Sequence, residues 1–387
     1  MRVLHLSADY PDPLAPAKTR AVSNLLALVP EIEHRVYALN RVGWRAGIHA
    51  LSFDDACGAG HRAVAYGAPP KGLLHAVFLD RLADWILEDL ARDGFRPDLV
   101  HAHKLSVEGL AGARVAQALG TPLALSIQGN SDTKIVGAKR DLRDRYARIW
   151  RDAAVAFPFA PWAARALETM LGPRDGPTLT LPCPGPADGR LPPRTVGPIF
   201  RTAFHLGGAP GKNADGLIRA VGAAAARVPE LRLEIAGGGD PAQFAALSRV
   251  AARAAPGRVR FLGPVPHDRV QALFNASCAF ALVSHRESFG MVFAEALSAG
   301  APCLTPRGRA IDGYFEEGGV VLAADPRDGA EIRDGLVRLA LEEAAFKARL
   351  AALSESGGLD FLTSRAIARQ YRSGIAAAGA CAGAEAG

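Results

Sequence analysis

The chain has 387 residues, 49% hydrophobic and 22% charged, with a formal charge of +6 and a pI near 9.2. Those proportions exclude an intrinsically disordered chain, and the length predicts two domains, each with its own core. The positive balance, carried mostly by arginine, favours anionic partners (nucleotide diphosphates, acidic lipid surfaces or nucleic acid) without choosing among them.

The amino-terminal run MRVLHLSADYP lacks a signal-peptide core. Val3 to Ser7 reads as a first strand, Asp9 to Ala17 as a proline-rich loop, Thr19 to Val29 as a helix and His34 to Leu39 as a second strand. Lys18, at the helix start, is either a cation for a ligand or a solvated side chain. Gly94 to His103 contains a buried strand that ends in His101 and His103, two residues apart and so on one face. A metal site would need a third ligand, and none stands nearby in the sequence, which leaves a structural or acceptor-side role. Pro122 to Ile127 is the next strand, followed by Gln128-Gly129-Asn130-Ser131-Asp132. Lys134 to Arg151 is basic and helical in character; it is either a surface for an anionic acceptor or lipid headgroups, or a solvated helix paired with Asp141, Asp144 and Asp152.

Leu181 to Pro193 is so dense in proline and glycine that it marks an interdomain linker. Ile199 to Leu206 then reads as a strand, and the loop Gly207-Gly208-Ala209-Pro210-Gly211-Lys212-Asn213 leads into a helix from Ala214 to Val228. Glycines for close backbone approach, one lysine and a following helix are the parts that hold a diphosphate, and the Walker spacing is absent. Leu231 to Ala236 is a strand ending in Gly237-Gly238-Gly239, which lacks the dinucleotide fingerprint. Val259 to Leu262 is a short strand before Gly263-Pro264.

Ala279 to Val283 is an apolar run expected to be a buried parallel strand. Ser284 to Gly290 is a polar loop, and Met291 to Ala299 a helix stopped by Gly300 and Pro302. The helix start offers free N–H groups to a phosphate, with Glu287 and Glu295 beside it. Glu295 is the only ionisable residue of an otherwise apolar helix, so a hydrogen-bonding partner is expected for it. The five cysteines (Cys57, Cys183, Cys278, Cys303, Cys381) are scattered and lack metal spacing, which fits reduced thiols in a cytoplasm. No apolar stretch is long enough to span a bilayer, so any membrane contact is expected to be peripheral.

The order Glu287-Ser288-Phe289-Gly290-Met291-Val292-Phe293-Ala294-Glu295, followed by Ala-Leu-Ser-Ala-Gly-Ala-Pro, resembles the donor-site signature of the family-4 retaining glycosyltransferases. The resemblance implies that Glu287 contacts donor-sugar hydroxyls and Glu295 holds the ribose. It also implies that the backbone of Ser288, Phe289, Gly290 and Met291 cradles the diphosphate. The Gly207 loop resembles the family's Gly-Arg…Lys loop, with Lys212 as the diphosphate lysine. Gly207 or Gly208 stands where an arginine is expected, so one cation is missing unless Arg307 or Arg309 substitutes. Gly237 and Gly238 would let the base lie against backbone. Pro97 to His103 resembles the family's second segment, and Gly308 to Val321 its closing one. Gln128 stands where relatives commonly have a histidine near the reacting carbon; it can bond a sugar hydroxyl but cannot titrate near neutral pH. The first loop, YPDPLAPAKTR, departs from the family's glycine-rich pattern.

The fold so implied is α/β, with two Rossmann-like domains facing across a cleft (GT-B) and a helix, Thr363 to Ile375, crossing back to the first domain. The expected boundaries are 1–182 for the acceptor domain, 183–198 for the linker, 199–360 for the donor domain, 361–375 for the crossover helix and 376–387 for a disordered tail. The implied reaction is retaining, metal-independent hexosyl transfer without a cofactor, from a UDP- or GDP-linked sugar to a saccharide or lipid-linked acceptor. Glu287, Lys212 and Gln128 form the catalytic group. The expected setting is bacterial cell-envelope polysaccharide synthesis in the cytoplasm, with peripheral contact to acidic lipid on the inner face of the membrane and no nucleic acid partner. A nucleotide-sugar epimerase of the same architecture and a degenerate nucleotide-sugar-binding protein are the alternatives.

Overall fold

The computed structural model describes residues 1–185, 188–316 and 319–384. They form two compact units, Met1–Phe159 with Ala163–Pro184 and Ser364–Gly387, and Ala160–Trp162 with Gly185–Thr363. The division at Pro184 falls inside the predicted linker, of which Pro186 and Ala187 lie outside the described residues.

In the first unit the strands are β1 (Arg2–Ser7), β2 (Glu33–Val42), β3 (Ile48–Asp55), β4 (Gly58–Gly67), β5 (Leu99–Ala102), β6 (Leu123–Ile127) and β7 (Val155–Pro158). They lie in the order β3-β4-β2-β1-β5-β6-β7, parallel except for the β3–β4 hairpin. β5, β6 and β7 are buried along their whole length, as short apolar runs covered on both faces must be. The chain builds outward from β1 through β2 and resumes on the other side of β1 with β5. Strand order therefore reverses between β1 and β5.

The second unit contains β8 (Ile199–Ala203), β9 (Arg232–Ala236), β10 (Val259–Gly263), β11 (Ala279–Ala281), β12 (Cys303–Pro306) and β13 (Val321–Ala324). Their order is β10-β9-β8-β11-β12-β13, all parallel, and it reverses between β8 and β11. The downstream half of the linker is fixed to this unit. Leu191 N–H donates to Ser298 C=O, and the Asn275 amide donates to Pro192 C=O and Ala299 C=O. The Glu343 carboxylate accepts from Val196 and Gly197 N–H. The buried Lys347 ammonium donates to Ser277 and Gly300 C=O, each at 2.8 Å.

The predicted helix 134–151 is two helices, Asn130–Ala138 and Arg143–Asp152, separated by a tight turn at Arg140–Leu142. The predicted tail is also corrected. The helix Ser364–Ala384 belongs to the first unit and covers most of 376–387, and the last three residues lie outside the described ones. Ile367, Tyr371, Ile375 and Ala378 fall on one helical stripe and pack against Val3, Val29, Val155 and Phe157. That packing, with alanine the best helix former, outweighs the low-complexity composition. Cys57, Cys183, Cys278 and Cys303 are free thiols.

Under that helix lies a chain of buried histidines. His34 Nε2 faces the Val29 carbonyl (3.2 Å), which can only accept, so Nε2 carries the proton. His34 Nδ1 then accepts from His5 Nε2 (3.0 Å), and His5 Nδ1 accepts from His103 Nε2 (3.1 Å). Every ring in this chain is the same neutral tautomer. Burial lowers the pKa of His5, His34 and His101, and pushes that of His103 down to about 3. A pKa depressed by folding contributes stability that is complete above the ordinary value of 6.5 and is lost as pH falls from there towards about 3. Thermal unfolding of the first unit should therefore drop progressively from about pH 7 to about pH 5, and His103→Leu should flatten that dependence. A melting profile equally steep in the variant would refute the assignment.

Candidate active site

Because strand order reverses beside β8, the loops that leave the carboxyl ends of β8 and β11 run side by side. Phe200 lies opposite Ala279, and Arg201 opposite Phe280. His285 N–H donates to Gly211 C=O (3.0 Å), tying the loops together. Lys212 Nζ lies 2.6 Å from Glu287 Oε2, and Ser284 Oγ is 3.5 Å from the same oxygen. The side chains of the pair are 31% and 12% exposed, so its Coulomb energy is partly screened and its main effect is to order two loops.

The helix Met291–Ser298 starts beside this pair. Gly290 caps it with φ +70, and a Cβ there would approach the Glu287 Cγ to 3.0 Å. Phe293 N–H turns back to Gly290 C=O, while among the described residues the N–H groups of Gly290, Met291 and Val292 have no acceptor. Orphan donors are normal at a helix start, and these three amides find no cap among the described residues. Phe289 is buried beneath the turn.

Glu295 is half-buried on the same helix, and burial raises its pKa while His267 opposes the rise. The expected hydrogen-bonding partner is not found among the described residues. Its polar requirement is thus left open among the described residues.

On the other side of the β8 loop stands the glycine cluster. Gly237 has φ +143, and a Cβ there would sit 1.8 Å from the Phe204 carbonyl oxygen, so only glycine fits. Leu206 N–H donates to Gly238 C=O. Gly207 and Gly208 do not offer their amides outward. Gly207 N–H donates to His205 Nδ1 and Gly208 N–H to His205 C=O, leaving Gly211 N–H as the amide of this loop without a partner among the described residues. Arg307, suggested as a replacement cation, is held by Glu331 at 2.7 Å. In the closing segment Gly308 N–H donates to Asp312, and Glu317 and Gly318 lie outside the described residues.

Gln128 lies in the first unit, at the end of β6, where its N–H donates to Asp132. Lys18 is not a solvated side chain: its ammonium is bound to the buried Asp12 carboxylate at 2.7 Å and to Leu39 C=O. The third histidine absent from the local sequence is His5, aligned with His101 across β1 and β5. His5, His101 and His103 offer nitrogens that all lie within 4.8 Å of one another and could hold a metal ion. Their nitrogens are otherwise engaged with one another, His34, Ser126 and Tyr371, apart from His103 Nδ1, which has no partner among the described residues.

Residues 208–354 match the family described as glycosyl transferases group 1, and residues 19–184 match the glycosyl transferase 4-like domain. The chain belongs to the group 1 glycosyl transferases. Over 157 residues it is 34% identical to the D-inositol 3-phosphate glycosyltransferase of Nocardioides sp., covering 37% of this chain and 34% of that protein, so the match spans about a third of the relative's length. Its fold is that of sucrose-phosphate synthase from Thermosynechococcus elongatus (18% identity, TM-score 0.68, 97% of this chain and 100% of the other). It is likewise that of Anabaena Alr3699/HepE in complex with UDP (14% identity, TM-score 0.66, again 97% and 100%).

In this group 1 glycosyl transferase one further residue positions the site, and motif reading did not single it out. Trp162 clusters with the second unit, and its Nε1–H is shared between Ser288 C=O and Ala310 C=O, each at 3.1 Å. Ala310 is buried in a left-handed conformation, with φ +54. One donor thus fixes the loop after β11 and the loop after β12. Trp162→Phe keeps an aromatic side chain but loses the indole N–H and some buried volume, leaving two carbonyls without that donor, and should destabilise the second unit by about 1–3 kcal/mol in denaturant unfolding. Glu295→Gln removes a charge that burial disfavours, and should stabilise the unliganded protein by about 1 kcal/mol. A loss of stability in that variant would show that the carboxylate has a structural partner.

Proposed function

We propose that the protein transfers a sugar, with retention of configuration and without a metal, from a UDP- or GDP-linked donor to a saccharide or lipid-linked acceptor in cell-envelope glycan synthesis. The observation that carries this reading is the meeting of Lys212 and Glu287 at 2.6 Å beside a helix start where Gly290, Met291 and Val292 N–H have no acceptor among the described residues. The ammonium has three donors, so one stays on Glu287 while others meet a diphosphate oxygen. Lys212 and the amides of Gly290 and Met291 then stabilise the charge that develops on the departing diphosphate. Glu287 accepts from sugar hydroxyls, Glu295 from the ribose diol, and the bare backbone at Gly237 and Gly238 admits the base. In the transfer step the bond from the anomeric carbon to the phosphate oxygen breaks as the acceptor oxygen bonds on the same face, and the acceptor proton passes to the departing phosphate. Gln128, in the first unit, has an amide that cannot titrate near neutral pH and takes no proton in this reading. UDP in the HepE complex supports a donor of this class.

The test is a thermal-shift panel of UDP, GDP and ADP sugars, in which the true donor raises the transition by mass action. Lys212→Ala should then lower turnover roughly 10²-fold, and Glu295→Ala should weaken nucleotide binding. Wild-type kinetics in both variants would discard this site. Nucleotide binding with neither donor hydrolysis nor transfer would leave a binding protein in place of an enzyme.

A further inference from the structure

The helix that follows β4, His75–Asp93, starts in a way that folding alone does not explain. Leu73, Leu74 and Val77 are 66%, 59% and 45% exposed, a concentration of bare aliphatic surface within five residues. Leu74 caps the helix in the left-handed region (φ 52, ψ 34). An L-residue with a Cβ is strained there by about 1–2 kcal/mol, and exposure denies this leucine any burial in return. Glycine or asparagine would serve the fold better, so the leucine calls for a use outside the fold.

The surroundings indicate what covers it. Lys139 Nζ donates to Gly72 C=O at 2.6 Å, and Arg145 grips Asp80 through both terminal nitrogens. The bare leucines are thereby fixed against the basic segment, where Lys134, Arg140 and Arg143 are exposed and Asp141 and Asp144 oppose them in part. On the helix itself the Arg81 guanidinium lies 5.4 Å over the half-buried Phe78 ring. Aliphatic tips flanked by cations suit the boundary between acyl chains and anionic headgroups. Three aliphatic side chains are too small a surface for a stable protein partner, which needs roughly 1,000 Å² or more. No helix among the described residues is long and apolar enough to cross a membrane.

We propose that the junction at Leu73, Leu74 and Val77, with Lys139 beside it, docks on a bilayer that contains anionic lipid. The junction leaves the carboxyl edge of the first sheet, and His75 Nε2 bonds Ser106 C=O at 3.0 Å on the loop after β5. Docking there delivers a lipid-linked acceptor to the edge that carries Gln128. That last step rests on the proposed glycosyl transfer; docking itself does not.

Flotation of the full chain with vesicles of phosphatidylcholine alone, or mixed with phosphatidylglycerol, tests this. The unaltered protein should float with the mixed vesicles and not with the neutral ones. The triple variant Leu73→Ser, Leu74→Asn, Val77→Ser should bind them roughly tenfold or more weakly, with its melting temperature kept because the residues are exposed and asparagine suits the left-handed cap. Lys139→Gln should cost roughly fivefold at low salt. Equal binding to both vesicle types, no binding to either, or an unaffected triple variant would overturn the proposal. Self-association abolished by the triple variant, without vesicle binding, would make the patch a contact between copies and overturn it as well. The nucleotide-sugar melting shift of the same variants reads the donor site separately, so failure of one reading leaves the other standing.

Discussion

The candidate site depends on one topological constraint, the reversal of strand order between β8 and β11. Right-handed crossovers force the chain to leave β8 in one direction and return on the other side, so the loops above these two neighbours diverge and leave a crevice. Lys212 and Glu287 are far apart in sequence and meet only because of that return. The ion pair adds little stability in a partly exposed setting, but it ties together the two loops that flank the start of the helix Met291–Ser298.

Buried charged groups of the second unit differ in their hydrogen bonding. Away from the crevice, Lys347 donates to two carbonyls, although burial lowers its pKa to about 8, and Glu343 accepts two linker amides. At the crevice, Glu295 has a raised pKa and no hydrogen-bonding partner among the described residues, and the same lack of a partner holds for the amides of Gly290, Met291 and Val292. A framework able to satisfy Glu343 and Lys347 had the means to satisfy Glu295. Leaving it open lowers stability and keeps the groups ready for a ligand.

Much of the second unit was legible because short buried strands alternate with glycine-marked loops and one helix start carries a distinctive order of side chains. Glu287, Gly290 and Glu295 are local, and so their arrangement can be read from spacing. The approach of Lys212 to Glu287 is not local and came only through resemblance. What stayed hidden was decided by tertiary contact. The β3–β4 hairpin has an exposed, mixed pattern on β3 that resembles neither alternation nor a buried run. His5 is invisible as a neighbour of His101 until β1 and β5 are paired in register. Trp162 sits in a helical stretch of the first half of the chain, and nothing in its sequence neighbourhood tells that its indole serves loops near Ser288 and Ala310. The alanine-rich tail looked unstructured by composition, yet alanine is also what a tightly packed helix uses, and Ala378 is fully buried.

The first unit solves the same topological problem with the charges exchanged. Its order reverses between β1 and β5, and an ion pair again bridges the two loops: Asp9, after β1, meets Lys104, after β5, at 2.6 Å. Here the acid comes from the first strand and the base from the strand across the reversal, whereas in the second unit Lys212 follows the first strand and Glu287 the other. The surroundings differ in sign too. Glu108 donates no charge freely, since burial raises its pKa to about 7, but it accepts Ala8 N–H and stands 4.0 Å from Lys104, with Asp132 buried close by and accepting from Ser106 and Gln128 N–H. One cation stands here among three acids, two of which, Glu108 and Asp132, are fully buried and accept backbone amides. The crevice of the second unit sets one lysine beside Glu287, Glu295 and helix-start amides that have no acceptor among the described residues. A shared chain path thus carries two loop pairs whose acid and base are exchanged: the fold sets where the loops meet, and the residues on them set the chemistry.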